Sequence, residues 1–414
     1  MKTVYVVGAG LAGLACALSV AKAGRRVVLF EAAAAAGGRC RSFHEPRLRC
    51  SIDNGNHLVL GGNHAVFGFL RDIGSSGLIP AAPEGFPFFD LRHRQGWRLQ
   101  PNDGVLPWWV LAPSRRVPGT VARDYAPVLR LMLAGRAKTV ADCLRVSPRA
   151  LDSLWAPLTL AMLNTAPDVA SARSLGRALG ESFAKGGAAC RPFVAARGLR
   201  DCFIDPALAT LTALGGEVRL REAVDNIDMT GGLACALATS QSRVSLEAGD
   251  SVVLAVPPRA ARRLLPELSA PHPDAAIVNA VYSLDSPARL PGGASFIGLI
   301  GGAAQWVFTR GRLAMASVSA ADSLIDLPKA TIAEVLWPDT AMALGSTASL
   351  PAWSVVKERA ATFFQTPDQE SRRPATKTLW RNLFLAGDWT DTGLPATLEG
   401  AIRSGRKAAI TIMR

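Results

Sequence analysis

The feature that most constrains the fold stands near the start of the chain, where the glycine-rich stretch GAGLAG covers residues 8–13. An apolar run at residues 4–7 precedes it and predicts a buried β-strand. An Ala- and Leu-rich stretch follows up to Gly24 and predicts a helix, and residues 26–30 predict a second strand that leads to Glu31. Strand, glycine turn, helix, strand and acid in this order predict a βαβ unit that binds a dinucleotide.

Each glycine of this stretch has its own physical role. Gly8 permits the tight turn, Gly10 lets the backbone approach a pyrophosphate at the helix N-terminus, and Gly13 permits close helix–strand packing. Glu31 can accept hydrogen bonds from both ribose hydroxyls, and its charge would repel a 2′-phosphate. The predicted cofactor contacts of this unit are Gly8, Ala9, Gly10, Leu11, Ala12, Gly13 and Glu31.

The residues that follow Glu31 favour FAD over NAD. Gly37 and Gly38 precede Arg39 and Arg41, a pattern that NAD binding does not require. It resembles the second part of the fingerprint of FAD-dependent amine oxidases and carotenoid-type desaturases, in which this loop and its arginine face the flavin diphosphate. The resemblance implies that Gly38 and Arg39 contact FAD.

A polar turn lies within residues 50–62, and it contains Asp53, Asn54, Asn56 and His57. One interpretation is a surface loop. The other is a buried turn whose side chains meet the polar edge of a ligand.

The charge and the cysteine content limit the classes of partner that the chain can have. The chain has 46 Lys and Arg against 33 Asp and Glu, a net charge of +13 that favours anionic partners. No nucleic-acid-binding motif is present, so no nucleic-acid partner is predicted. The seven cysteines form no CxxC pair and the five histidines do not cluster, which predicts free thiols in a reducing cytoplasm and no metal site. No apolar run reaches the ~18 residues that would span a bilayer, and the N-terminus does not read as a signal peptide.

Seven segments, spread in order over essentially the full length of the chain, together resemble one family. They are VVGAGLAGLACAL, GGRCRSF, IDNGNHLVLGG, LWAPLTLAMLNTAP, GLRDCFIDPALATLTALGGEVRL, VVLAVPP and NLFLAGDWTDTGLPATLEGAIRSG. The chain resembles the squalene-associated FAD-dependent desaturase-like family, the hydroxysqualene dehydroxylases of hopanoid-making bacteria, within the amine oxidase and phytoene desaturase superfamily. One departure is Asn56, where a glutamine is expected in relatives.

The resemblance implies how the C-terminal segment serves the cofactor. A strand at residues 383–386 returns to the first βαβ unit, Gly387 lets the backbone pass the cofactor, and Asp388 bonds the ribityl hydroxyls or neighbouring polar groups. Pro395 is expected to open the last helix, whose N-terminus would point at the flavin and stabilise negative charge on it. Further FAD contacts implied by the resemblance are Gly55, Asn56, Val224, Thr397 and Leu398.

The fold class expected is α/β, with a discontinuous FAD-binding domain of the Rossmann type and an inserted α+β substrate domain. Residues 1–75, 205–260 and 375–414 are predicted to form the FAD-binding domain. Residues 76–204 and 261–374 are predicted to form the substrate-binding domain.

The family resemblance implies an FAD-dependent reductive dehydroxylation of hydroxysqualene to squalene, with an apolar triterpene as substrate. A carotenoid-type desaturase, which moves hydride the other way, stays open. An amine oxidase is less consistent, because those enzymes commonly carry an aromatic residue where Thr397 stands. A flavin-containing lipid-binding protein without turnover is the non-enzyme alternative.

His57, with Asp53 as its partner, is the candidate for protonating the leaving hydroxyl. The electron donor is expected to be an external reductant.

A membrane-docking segment is predicted between Val105 and Arg149. Trp108 and Trp109 suit a membrane interface, and Val128, Leu129, Leu131 and Met132 can sit below it. Arginines 115, 116, 123, 130 and 136 would meet anionic headgroups. The predicted location is the cytoplasm, with peripheral attachment to the inner face of the cytoplasmic membrane.

Overall fold

A computed structural model describes residues 2–83 and 85–414. Its α-helices are α1 Leu11–Lys22, α2 His64–Asp72, α3 Pro127–Met132, α4 Val140–Cys143, α5 Pro148–Ala150, α6 Ala156–Leu163, α7 Ala172–Glu181, α8 Gly187–Cys190, α9 Asp205–Ala213, α10 Pro258–Leu264, α11 Lys329–Leu344, α12 Pro367–Ser371 and α13 Leu398–Met413. In this part of the chain, no helix is both long enough and apolar enough to cross a membrane.

Strands β1 to β9 are Thr3–Val7, Arg26–Glu31, Ser42–Glu45, Cys50–Asp53, Leu58–Leu60, Phe86–Asp90, Gln95–Leu99, Pro192–Val194 and Glu217–Leu220. Strands β10 to β14 are Val224–Thr230, Leu233–Thr239, Arg243–Ser245, Ser251–Leu254 and Asp274–Ser283. Strands β15 to β19 are Phe296–Ile300, Trp306–Arg310, Leu313–Ser319, Ala352–Phe363 and Leu383–Leu385.

A five-stranded parallel sheet has the order β19-β13-β1-β2-β9. Its central strands are buried because both faces are covered. Helices α1, α9 and α13 cover one face, and strands β10 and β11 together with α10 cover the other. The expected α/β fold with a Rossmann-type unit is confirmed. The strands of this sheet come from both ends and the middle of the chain, while the boundaries of the two domains stay a prediction.

A seven-stranded mixed sheet has the order β18-β14-β17-β16-β15-β6-β7. Neighbouring strands are antiparallel except β6 and β15, which run parallel. This sheet combines residues 86–99 with residues 274–363, so two distant parts of the sequence meet in it. Smaller sheets pair β10, β11 and β12, β3 with β4, and β5 with β8.

The last helix packs directly on the first. A side chain at Gly405 of α13 would place its Cβ 2.1 Å from the carbonyl oxygen of Ala12 in α1, so only glycine permits this contact. The start of α13 differs from the expectation. Thr397 is the N-cap and its hydroxyl accepts a hydrogen bond from the Gly400 N–H at 3.1 Å, so Pro395 precedes the helix and does not open it.

Candidate functional site

A cavity of about 730 Å³ is lined by residues from both large sheets. The residues predicted to bind the cofactor that line it are Gly8, Gly10, Leu11, Ala12, Glu31, Gly38, Arg39, Gly55, Asn56, Val224, Gly387, Asp388, Thr397 and Leu398. His57 also lines it, whereas Ala9, Gly13 and Asp53 lie outside the lining. The structure therefore brings together residues that are almost 400 positions apart in the sequence.

The glycine turn after β1 has the geometry of a phosphate cradle. Gly8 has φ +104°, and a Cβ there would lie 2.7 Å from the Ala255 carbonyl oxygen. A Cβ at Gly13 would lie 1.9 Å from the carbonyl oxygen of Gly8, so helix and turn pack backbone to backbone. Nothing lies within 4 Å of the Cβ position of Gly10, which is the N-cap of α1. This free space beside a helix N-terminus fits a diphosphate.

The carboxylate of Glu31 is held in place by backbone. Its Oε2 accepts a hydrogen bond from the N–H of Ala9 and its Oε1 accepts one from the N–H of Ala33, both at 2.9 Å. Ala9 thus contributes through its backbone although it does not line the cavity. Each oxygen keeps acceptor capacity for a ribose hydroxyl.

Arg39 joins the loop after β2 to the C-terminal segment. Its guanidinium donates to Asp388 Oδ1 at 2.7 Å and to the carbonyl oxygen of Ala361 at 2.6 Å. Burial alone lowers the pKa of Arg39, but the nearby Asp388 carboxylate outweighs this and the pKa is raised. The pair is neutral as a unit, so the cavity does not carry an unpaired charge at this point.

The C-terminal segment crosses the cavity before α13 begins. Gly387 has φ +146°, and a Cβ there would lie 2.4 Å from Nε1 of Trp389. The N–H of Gly387 donates to the Ser404 hydroxyl at 2.7 Å, which ties the segment to α13. The N-terminus of α13, beside Thr397 and Leu398 at the cavity wall, forms a positive dipole end that suits an electron-rich ring.

His57 is held in its neutral form by its surroundings. Burial lowers its pKa to about 4, with Asp53 raising the pKa and Arg39 lowering it by smaller effects. A ring with this pKa is uncharged at neutral pH, so it does not supply an imidazolium proton there. Its role as proton donor to a leaving hydroxyl stays a prediction, and burial works against it.

Asp53 does not form a hydrogen bond with His57 among the described residues. One carboxylate oxygen accepts from the Ser42 hydroxyl and from the N–H of Leu199, at 2.5 and 2.9 Å. The other accepts from the Arg310 guanidinium at 2.6 Å. These contacts fasten β4 to neighbouring segments, so the geometry gives Asp53 a structural role and not the expected partnership with His57.

One wall of the cavity is apolar and aromatic. Phe88 lies 5.5 Å from Trp306, measured between ring centroids, and 5.8 Å from Trp97. The apolar residues of this wall are Phe86, Phe88, Leu99, Leu154, Leu158, Met162, Phe183, Trp306 and Phe308. A surface of this kind accommodates hydrocarbon and excludes water.

Several residues that line the cavity were not predicted from the sequence. Glu222, Arg263 and Trp389 lie near Val224, and the indole N–H of Trp389 donates to the Val256 carbonyl oxygen at 2.9 Å. Asn279, Ser317 and Glu358 lie on strands of the seven-stranded sheet. Their strands read as ordinary alternating segments, and only the sheet order shows that they meet the turn at residues 53–57.

Comparison with known proteins agrees with this geometry. A family profile described as flavin containing amine oxidoreductase matches residues 11–413. The chain belongs to the flavin containing amine oxidoreductase family. It is therefore an FAD-dependent oxidoreductase, and FAD is its cofactor.

Three curated relatives sharpen the family assignment. The chain is 42% identical to a hydroxysqualene dehydroxylase of Rhodopseudomonas palustris, over 100% of this chain and 98% of that protein. It is 38% identical to the protein of the same name from Zymomonas mobilis, over 99% and 98%. A 15-cis-phytoene desaturase of Arabidopsis thaliana is 23% identical over 99% of this chain and 80% of its own length. The resemblance inferred from the sequence segments is confirmed.

Solved structures confirm the fold. A putrescine oxidase bound to putrescine superposes with a TM-score of 0.73 at 18% identity, covering 100% of this chain and 99% of that one. A cyclohexylamine oxidase of Brevibacterium oxydans superposes with a TM-score of 0.70 at 16% identity, covering 99% and 98%. At these identities the likeness concerns the fold alone.

Proposed function

We propose that this enzyme carries out the reductive dehydroxylation of hydroxysqualene to squalene. The observation that carries the proposal is the full-length similarity, at 38–42% identity, to three proteins named hydroxysqualene dehydroxylase. The aromatic and aliphatic wall of the cavity supports it, because a thirty-carbon hydrocarbon needs a large apolar surface and few polar partners. Bound FAD, when reduced, supplies the hydride that replaces the hydroxyl.

The residues of this chain hold the cofactor and exclude water. Glu31 would accept hydrogen bonds from the ribose, and the cradle at Gly8 and Gly10 would hold the diphosphate. The N-terminus of α13 beside Thr397 would stabilise negative charge on a reduced ring. The two electrons consumed in each turnover would come from an external reductant, because hydride transfer leaves FAD oxidised.

The remaining functional alternatives are distant. The phytoene desaturase relative is only 23% identical, against 42% for a dehydroxylase. Thr397, which lines the cavity, is not aromatic and cannot form the cage wall common in amine oxidases. A lipid carrier that keeps FAD would not need a positive helix end directed at the site of charge formation.

The test is anaerobic incubation of photoreduced enzyme with hydroxysqualene, followed by analysis of the extracted lipids. Squalene formed only with reduced enzyme supports the proposal. Dehydrogenation of saturated carbon–carbon bonds by the oxidised enzyme would place it among the desaturases. Absence of turnover in either redox state would favour the lipid-binding alternative.

We further propose that the protein docks on the inner face of the cytoplasmic membrane through residues 105–133, called here the foot. Eight of the 17 large exposed apolar side chains among the described residues lie in it: Val105, Leu106, Trp108, Leu111, Val121, Leu129, Met132 and Leu133. Arg123, Arg130 and Arg136 are exposed beside or within this segment. Exposed apolar groups next to arginines favour an anionic membrane surface.

The foot differs in detail from the sequence expectation. Trp109 is buried and its ring lies 5.1 Å, edge to face, from Tyr125, so it belongs to the core. Leu131 is also fully buried, next to α7. Trp108 remains 50% exposed and carries Arg115 over its ring at 4.6 Å. Buried and exposed positions alternate along α3 and the preceding turns. For this reason only half of the apolar side chains predicted to contact the membrane are exposed.

A further inference from the structure

A chain of neutral hydrogen bonds crosses the cavity between the turn at residues 53–57 and the seven-stranded sheet. Asn56 Nδ2 lies 2.9 Å from Ser317 Oγ, and that hydroxyl lies 2.6 Å from Asn279 Oδ1. Asn279 Nδ2 lies 3.2 Å from the carbonyl oxygen of Asn54. All four residues line the cavity.

The direction of this chain is fixed by its last member. A backbone carbonyl oxygen only accepts, so the amide N–H of Asn279 must face Asn54. The Oδ1 of Asn279 then faces Ser317, whose hydroxyl must donate its single hydrogen to it. Ser317 can therefore only accept from the Asn56 amide, which turns the Asn56 Oδ1 away from Ser317.

Because the direction of these hydrogen bonds is fixed, the side chains of Asn56 and Ser317 keep donors and acceptors that are not used. Among the described residues, the Asn56 side chain makes only this one bond, so one amide hydrogen and Oδ1 have no partner. Ser317 retains one lone pair. Asn279, by contrast, is 2% exposed and serves to orient Ser317. Asn56 and Ser317 are both half-buried at the cavity surface.

These groups match one chemical class of ligand. The free capacity consists of neutral donors and acceptors, which suit a neutral hydroxyl, since a hydroxyl both donates and accepts. An ammonium group would require a free carboxylate. The nearby carboxylate of Glu358 is already engaged, because its Oε2 accepts from Asn54 Nδ2 at 2.9 Å and lies 3.7 Å from the Arg41 guanidinium. The adjoining surface of the same sheet, with Phe88, Trp306 and Phe308, is apolar, so a ligand bound here carries one polar group on a hydrocarbon body.

We propose that Asn56 and Ser317 form the subsite that binds the substrate hydroxyl, with Asn279 as the residue that positions Ser317. This inference rests on the proposed dehydroxylation. It departs from the expectation that the Asn56 side chain serves the flavin, because its amide is already directed by Ser317 of the seven-stranded sheet. A polar subsite of this kind selects the alcohol over the hydrocarbon, since the hydrocarbon leaves these polar groups unpaired.

The experiment compares two ligands that differ by the hydroxyl. The dissociation constants of hydroxysqualene and of squalene are measured on oxidised holoenzyme for wild type, Ser317→Ala and Asn56→Ala. We expect each variant to bind hydroxysqualene about tenfold more weakly and squalene unchanged, with FAD content and visible spectrum unchanged. Ser283→Ala is the matched control. This serine is at the end of β14, outside the cavity lining, and its side chain makes no hydrogen bond among the described residues.

The possible results distinguish a failure of the hydroxyl subsite from a failure of the proposed function. Equal weakening of both ligands, no weakening at all, or loss of FAD would overturn the subsite. If Ser317→Ala does not fold, Asn56→Ala carries the test, because it leaves the Ser317–Asn279–Asn54 bonds in place. Turnover by the wild type shows whether the proposed function fails or only the subsite fails. If reduced wild type does not convert hydroxysqualene to squalene, the proposed function fails and the subsite fails with it. If it converts hydroxysqualene while the variants do not discriminate, only the subsite fails.

Discussion

At the scale of single residues, Glu31 shows how backbone preorganises a cofactor contact. Both carboxylate oxygens are held by backbone N–H groups, those of Ala9 and Ala33. The side chain therefore loses little rotational freedom when it accepts the ribose hydroxyls.

Replacing Glu31 with alanine is expected to yield enzyme with mostly empty sites. The lost hydrogen bonds involve a charged acceptor and stabilise binding by roughly 1.5–3 kcal/mol, which corresponds to about 10- to 150-fold in affinity. The measurement is FAD content after gel filtration, followed by titration with FAD. Glu247→Ala, an exposed acid remote from the cavity lining, is the control. Full retention of FAD by Glu31→Ala would show that this carboxylate does not hold the ribose.

His57 makes stability depend on pH in a defined window. Its pKa is about 4 in the folded protein and about 6.5 in an unfolded chain, so the unfolded state takes up the proton first. Its contribution to stability is complete above about pH 6.5 and is lost as the pH falls towards about 4. The loss is on the order of 3 kcal/mol.

The measurement is the free energy of unfolding between pH 4 and pH 8 for wild type and His57→Gln. The variant should lack this part of the pH dependence, whereas His44→Gln, at an exposed position on β3, should retain it. Identical pH profiles for wild type and His57→Gln would contradict the neutral state of this half-buried ring.

At the scale of secondary structure elements, α1 and α13 form the support for the cofactor site. The N-termini of both helices lie at the cavity, at Gly10 and Thr397, and the helices touch at Gly405. A change in their separation is therefore transmitted to the site.

Gly405→Ala is expected to lower both stability and FAD affinity. Alanine favours a helix by about 1 kcal/mol over glycine, but its Cβ would lie 2.1 Å from the Ala12 carbonyl oxygen. Overpacking of this kind costs typically 1–3 kcal/mol, so the clash outweighs the gain. Gly180→Ala on α7 is the control, since its nearest atom is Met132 Cε at 3.7 Å. Unfolding in urea and FAD titration measure both effects. Unchanged values for Gly405→Ala would show that the helices can separate freely.

Local elements could be predicted from the sequence because their signals are local. The strand at residues 4–7, the glycine turn and the helix up to Lys22 follow from adjacent residues. The start of α13 was misplaced because Pro395 suits a first turn, whereas the Thr397 hydroxyl provides the actual cap. The contact between Asn56 and Ser317 spans 261 positions and depends on strand order, which no local pattern encodes.

At the scale of the whole molecule, the foot and the apolar cavity wall adjoin one helix. A Cβ at Gly176 of α7 would meet the backbone of Leu131 in α3, whereas Ala178 of α7 lines the cavity. One helix thus separates the exposed apolar segment from the site, which is consistent with a substrate that resides in lipid.

Vesicle co-sedimentation tests the foot. Binding should require anionic lipid and weaken with salt, because exposed charges are screened. Replacing Arg123, Arg130 and Arg136 with alanine should weaken binding about tenfold or more, as each contributes up to ~1 kcal/mol near the surface. Leu106→Ser with Leu133→Ser should also weaken it.

Leu379→Ser is the matched control for the apolar changes, since Leu379 is 88% exposed on a distant loop. Two results would contradict docking through the foot. One is wild type that stays in the supernatant at every lipid composition and salt concentration, and the other is foot variants that sediment like the wild type.

A single-turnover experiment with photoreduced holoenzyme and hydroxysqualene, in the absence of oxygen, tests whether this enzyme is a reductive dehydroxylase. We expect oxidised FAD to reappear together with squalene, one molecule of squalene for each flavin, and oxidised enzyme to leave hydroxysqualene unchanged. Reduced flavin that persists in the presence of hydroxysqualene, or flavin oxidation without squalene, would contradict it.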